Sequence, residues 1–166
     1  MDSPESTPNS TPRRTVREAR ADEAGLIRDF QVAMAWESEK MRLDSEVCLR
    51  GVRRVFDKPA LGRYFVMEIE SGDANPVVAG CTLIQREWSD WRARLVLWIH
   101  SLYIRPEYRG QGLYRATYEE FQTRVKNDPS LGGIRLYVDH GNTSAIAVYE
   151  KLGMTREHYH LYEWMK

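Results

Sequence analysis

Cysteine is nearly absent: Cys48 and Cys81 are the only two in 166 residues, and they form neither a CxxC pair nor a disulfide framework. Both are read as buried thiols of a reducing compartment. Long apolar runs are missing too. No stretch approaches the roughly 18 residues of a membrane span, and the first fifteen residues hold almost nothing apolar that could serve as a signal-peptide core. A cytoplasmic protein without a membrane partner is expected. Excess charge of either sign is also lacking, since 24 Lys plus Arg balance 24 Asp plus Glu, so no nucleic-acid partner is expected. His158 and His160 alternate onto one strand face without a third ligand, and no metal site is expected. What is present is the composition of a globular chain: 42% hydrophobic residues, five Trp and nine Tyr. The length suits one domain with a real core.

Residues 1–13, with prolines at 4, 8 and 12 among Ser and Thr, are expected to be a disordered tail, and 14–166 one domain. Thr15 to Ala19 reads as a strand. Asp22 is placed to cap a helix to about Ser38 carrying Leu26, Ile27, Phe30 and Met34 on one face. A second helix runs from near Asp44, with Val47, Val52, Val55 and Phe56 as its apolar set, and stops before Pro59. Strand signals at 64–69, 77–87 and 92–104 form an antiparallel meander. A helix from about Gly112 to Lys126 places Leu113, Thr117, Phe121 and Val125 on one row, and Asp128-Pro129 and Gly132-Gly133 break it. Ile134 to Val138 alternates as a strand. Asn142 caps a helix with Ala145, Val148, Tyr149 and Leu152 as its apolar set, and a last strand is expected within 154–164. The order predicts an α/β fold, a mixed central sheet flanked by helices, with a single βαβ crossover. An exposed C-terminal strand would offer an edge for a homodimer.

The crossover carries the most informative stretch, Leu102 to Arg115. A strand end meets Pro106, then a turn with Gly110 and Gly112, then a helix N-terminus. Unpaired amides and the positive end of the helix dipole make such a place a site for a phosphate or pyrophosphate, with Arg109 and Arg115 adding charge. It has neither the Gly-Lys-Ser/Thr of a P-loop nor the dinucleotide glycine fingerprint.

This stretch resembles the signature of the GCN5-related N-acetyltransferase (GNAT) family, with Arg109, Gly112 and Tyr114 in the motif positions and Tyr114 where the family has a small residue. A second stretch, Asn142 to Ala145 followed by Tyr149 to Met154, is similar to the family's Asn, Ala, Tyr and Gly-Phe pattern, with Met154 for Phe. The resemblance implies the acyl-CoA N-acyltransferase fold and an N-acetyltransferase that moves an acetyl group from acetyl-CoA to a primary amine. The amine is a small molecule or a peptide or protein amine, and attack is direct within a ternary complex. It implies that backbone groups of Leu102, Tyr103 and Ile104 bond the pantetheine arm. The pyrophosphate would lie on the amides of Gly110, Gln111, Gly112, Leu113, Tyr114 and Arg115. Asn142 would contact the cofactor, a role compatible with capping its helix. Tyr149 would protonate the departing thiolate, a phenol of pKa about 10 facing a thiol of about 8.5.

The attacking amine must first lose a proton. His100, two residues before Leu102 and on the face of Trp98, is the leading base, with Glu37 and Glu39 as alternatives; Tyr137 holds a position where other members place a glutamate. The tryptophans at 36, 88, 91 and 98 are read as core and hairpin packing. The alternative function is a CoA-binding sensor or scaffold of the same fold without turnover.

Overall fold

The computed structural model describes residues 12–70, 75–156 and 160–165, so most of the expected tail lies outside the described residues. The chain divides into two compact units, 1–136 and 137–166.

The first unit opens with β1 (Arg13–Glu18), two residues earlier than the pattern predicts. Arg17 on this strand ties the start of the chain together. Its guanidinium donates to Glu23 at 2.7 and 2.9 Å and to Glu68 of the neighbouring strand at 2.6 and 2.9 Å. Glu23, only 8% exposed, also accepts from the Arg20 amide at 2.7 Å. This pull explains a departure from expectation: Asp22 caps nothing and sits in a single 3-10 turn (Ala21–Glu23) from which α1 (Ala24–Glu39) continues. Ile27 and Phe30 are the buried residues of the predicted face. Asp44 does cap α2 (Ser45–Asp57), accepting from the amides of Glu46 and Val47 at 2.9 and 3.0 Å. Val52 is buried there, while Val47 faces solvent.

Four strands complete the sheet: β2 (Arg63–Glu70), β3 (Val77–Ser89), β4 (Arg94–Ile104) and, after α3 (Leu113–Asn127), β5 (Leu131–Leu136). The sheet order is β1-β2-β3-β4-β5, antiparallel except for the last pair, as the mixed sheet and single crossover require. Leu113, Thr117 and Phe121 of α3 are buried as the i, i+4 row predicts. Gly132 and Gly133 do not break the chain but lie inside β5, where a Cβ on Gly132 would meet that of Arg94 at 3.0 Å. Helix α3 is ended by Asp128-Pro129 alone.

One irregularity shapes the centre of the sheet. Cys81 pairs with Tyr103 and Leu83 with His100, so Thr82 faces two residues, Ser101 and Leu102. Ser101 adopts φ 50°, the left-handed region that costs a non-glycine residue of order 1 kcal/mol or more. Buried Thr82 fixes this bulge, its hydroxyl donating to the His100 carbonyl at 2.8 Å. The extra residue reverses the alternation of β4. Leu102 and Ile104 pack with Leu113, Met67 and Ala79 on one face, and Tyr103 packs with Phe30, Tyr64 and Val66 on the other. One rung further, a Cβ on Gly80 would stand 2.3 Å from the Tyr103 carbonyl oxygen, so only glycine allows the two strands their spacing.

In the second unit Asn142 caps α4 (Thr143–Lys151), accepting from the Ala145 amide at 3.1 Å. The expected last strand is not formed by the described residues, 154–156 and 160–165, and neither is the dimer edge it was to offer. His158 lies outside the described residues.

Two outcomes are expected. Thr82→Val keeps the shape but strips the His100 carbonyl of its buried donor, and should cost about 1 to 3 kcal/mol in urea unfolding; an unchanged midpoint would show that the bulge does not need the bond. The Glu23 carboxyl is held below its ordinary range by the hydrogen bond from Arg17, aided by the Arg20 amide and both charges, against a burial cost that acts the other way. Its folded pKa is depressed, so its contribution is full above the ordinary glutamate range and disappears as pH falls through the folded value. Glu23→Gln should therefore flatten the acid limb of the stability profile.

Candidate active site

The parallel ladder between β4 and β5 ends at Ile99 and Leu136, leaving His100 to Ile104 beyond its last rung. On the other side this stretch remains tied to β3, and the Arg105 amide donates to the Ala79 carbonyl at 2.9 Å. Leu102, Tyr103 and Ile104 thus lie on a strand end with one edge not taken up by β5. A buried backbone edge of that kind requires hydrogen-bond partners.

The chain then turns through Pro106–Tyr108 and reaches Gly110 and Gly112, whose φ values of 73° and 78° lie in the left-handed region that favours glycine. Among the described residues the amides of Gly110, Gln111 and Gly112 donate to no backbone carbonyl. Leu113, Tyr114 and Arg115 form the first turn of α3. The loop from Gly110 to Gly112 thus lies at the positive end of a fifteen-residue helix. Arg115 is exposed beside it.

Arg109 is not simply a loose charge at the loop. Its Nε donates to the Ile104 carbonyl at 2.8 Å, a terminal nitrogen meets the Glu37 carboxylate at 2.5 Å, and the guanidinium stacks over the Tyr103 ring at 5.6 Å. The other Glu37 oxygen accepts from the Tyr103 hydroxyl at 2.8 Å. Burial alone would raise the Glu37 carboxyl, but the bonds from Arg109 and Tyr103 and the charges of Arg109 and Lys40 outweigh it and hold it low. The Tyr103 hydroxyl is pushed up to about 12 by burial and by its bond to that carboxylate. Glu37 is therefore an anion already matched by a cation, a poor proton acceptor near neutral pH.

Sequence reasoning missed Arg14. From β1 its Nε donates to the Gln111 carbonyl and its side chain lies 3.3 Å from where a Cβ on Gly112 would be. This bond turns the loop's carbonyl toward β1. Gln111 itself donates to the Glu107 carbonyl at 3.1 Å. Nothing in the local sequence marks Arg14, which is 97 residues away from its partner.

His100 is partly buried and stacks on Trp98, ring centres 5.8 Å apart, as the alternation predicts. Burial lowers its pKa from the ordinary 6.5, so the imidazole is neutral at pH 7. Trp98 donates to Glu87 at 2.5 Å, and Glu87 also accepts from Arg135 at 2.9 Å. Trp88 and Trp91 are 61% and 88% exposed at the hairpin tip, so neither is a core residue. Cys81 is buried and Cys48 partly so, both as free thiols. Burial raises both, Cys81 to about 12.

In the second unit the Asn142 side-chain oxygen is engaged by the Ala145 amide and the Ser144 hydroxyl, both at 3.1 Å. Tyr149 is half-buried and burial raises its pKa, which keeps the phenol protonated. Tyr137 is exposed.

The family model of the acetyltransferase (GNAT) family matches residues 25–154. A solved structure of a possible acetyltransferase from Clostridium difficile 630 is 33% identical, covering 92% of this chain and 97% of that one, with a TM-score of 0.80. The glucosamine-6-phosphate N-acetyltransferase of Arabidopsis thaliana, 14% identical, shares the fold at a TM-score of 0.66 over 93% of this chain and 99% of its own. Mycothiol acetyltransferase of Catenulispora acidiphila is 43% identical over 58 residues, which is 35% of this chain and 18% of that protein's length.

An NMR titration of the histidines should give His100 a midpoint below 6.5. A midpoint at or above that value would mean that the imidazole is not desolvated as described.

Proposed function

The chain belongs to the acetyltransferase (GNAT) family, and on that premise we propose that it transfers the acetyl group of acetyl-CoA to a primary amine. The observation that carries the reading is the strand end at Leu102 to Ile104, outside the β5 ladder and leading directly into the glycine loop and the N-terminus of α3. The first feature suits the amides of a pantetheine arm, and the second suits a pyrophosphate.

Arg109 joins the two only by exchange. Its charge is already met by Glu37, so the loop amides and the helix dipole carry the first recognition of the phosphates, with Arg115 beside them. A phosphate oxygen reaching Arg109 would replace one oxyanion by another and release the Glu37 carboxylate. Released, that carboxylate can pair with the ammonium of an arriving acceptor.

His100, neutral at pH 7, takes a proton from the acceptor nitrogen. The nitrogen lone pair then attacks the thioester carbonyl carbon, the new C–N bond forms and the C–S bond breaks. Tyr149, in the role the family motif gives it, donates its phenolic proton to the leaving sulfur. The second proton shed by the acylated nitrogen returns through solvent to the phenolate, leaving a neutral amide, the CoA thiol and a His100 imidazolium that releases its proton to solvent. Among the described residues no cysteine or serine stands in an activating arrangement, which favours direct transfer over an acyl-enzyme: Cys81 is buried with its thiol pushed to about 12. A second reading, a CoA-binding module without turnover, is favoured by one residue, the half-buried Tyr114 at a place the family reserves for a small side chain.

Calorimetric titration with acetyl-CoA, with thiol release then measured over a panel of primary amines, tests both. Wild type should bind, and Gly112→Asp, which sets a side chain and a negative charge against Arg14 at a left-handed position of the loop, should not. Tyr149→Phe should lower kcat about a hundredfold or more with acetyl-CoA affinity retained. Binding without thiol release on any amine supports the second reading, and absence of binding overturns both.

A further inference from the structure

At the far end of α3 the sheet carries a cleft of about 400 Å³ that the transfer chemistry does not use. Its lining on α3 begins at Phe121, eight residues or about 12 Å along the helix from the N-terminal loop, and runs to the helix end. Its floor is apolar and buried: Phe65, Ile84 and Leu97 from three adjacent strands, and Phe121 from the helix. Phe65 and Phe121 meet edge to face at 5.0 Å. The turn after α2, at Pro59 and Ala60, forms one wall.

The rim is cationic. Arg63, Arg86 and Arg124 line the opening, against the single carboxylate of Asp128. That carboxylate is occupied by the amide and hydroxyl of Ser130 at 2.9 and 2.6 Å. Arg63 is committed to Glu18. Arg124 lies over Phe65 and Phe121 at 4.7 and 5.5 Å and gives its Nε to Glu120. Its two terminal nitrogens make no hydrogen bond among the described residues, and neither does the Arg86 guanidinium, whose charge adds to the Ser130 bonds in holding the Asp128 carboxyl low.

An apolar floor of this size, with the hydrogen-bonding edges of two guanidiniums at its mouth, matches one ligand chemistry. The body must be apolar and lie beside the Arg124 guanidinium that covers the phenylalanine rings, and the head must be a carboxylate able to take paired N–H donors. We propose that this cleft is a second binding site, distinct from the cofactor loop, for an aryl-alkyl monocarboxylate.

The probe is 4-phenylbutyrate, titrated calorimetrically into the full chain, with 4-phenylbutylamine as its counterpart of opposite charge. One-to-one binding in the submillimolar range is expected for the acid and none for the amine. Saturating acetyl-CoA should leave the acid's affinity unchanged. Arg86→Glu, on an exposed strand position, should weaken binding at least tenfold. Ala60→Trp, which fills the mouth from the exposed turn without altering the arginines, should abolish it. No binding of the acid, equal binding of the amine, competition by acetyl-CoA, or full binding by the Ala60→Trp chain would each overturn the assignment.

Discussion

The hydrogen bond from Thr82 to the His100 carbonyl stabilises the irregularity on which the site's geometry depends. With a regular β4, alternation would put Tyr103 on the α3 face with Leu97 and Ile99, away from Phe30 and Glu37. The bulge instead turns Tyr103 to the α1 side, where its ring packs 5.7 Å from Phe30 and its hydroxyl reaches Glu37. It lies immediately beyond the last rung shared with β5. One inserted residue thus determines both which side chains face α1 and where the central strand leaves its parallel neighbour.

Charge is placed as selectively. The chain is neutral as a whole, yet its arginines hold particular joints: Arg17 binds β1 to β2 and to the start of α1, Arg14 ties the glycine loop to β1, and Arg109 links that loop to the end of α1. Each bridges elements far apart in sequence, and the better buried ones are worth most, since exposed pairs contribute little. The two ends of α3 then differ in kind. The N-terminal end offers backbone amides, and the C-terminal end offers side-chain guanidiniums over an apolar floor.

Much of this was legible in the residues. Periodicity located every helix and the antiparallel meander, and the glycine loop marked the crossover, because those signals are local. The bulge was not legible: Ser101 is neither glycine nor asparagine, and its left-handed backbone is imposed by Thr82, nineteen positions earlier in the chain. Glu37 reads locally as one more helix-end glutamate and takes its meaning from Arg109, 72 residues on. Gly132-Gly133 reads as a break because glycine is poor in strands, whereas here small residues make room for Arg92 and Arg94. The tryptophans at 88 and 91 read as packing, but a hairpin tip projects beyond any layer that could cover them.

Gly80 carries a last consequence. The carbonyl oxygen of Tyr103 occupies the place where any side chain at position 80 would begin, and both atoms belong to backbone that cannot be rotated aside. Flexible neighbours can be exchanged as a family of sequences drifts, but backbone cannot. Position 80 should therefore be among the slowest to change along this chain, slower than the helix surfaces and the hairpin tip, and a library of variants would be expected to show it as a site with a single permitted letter.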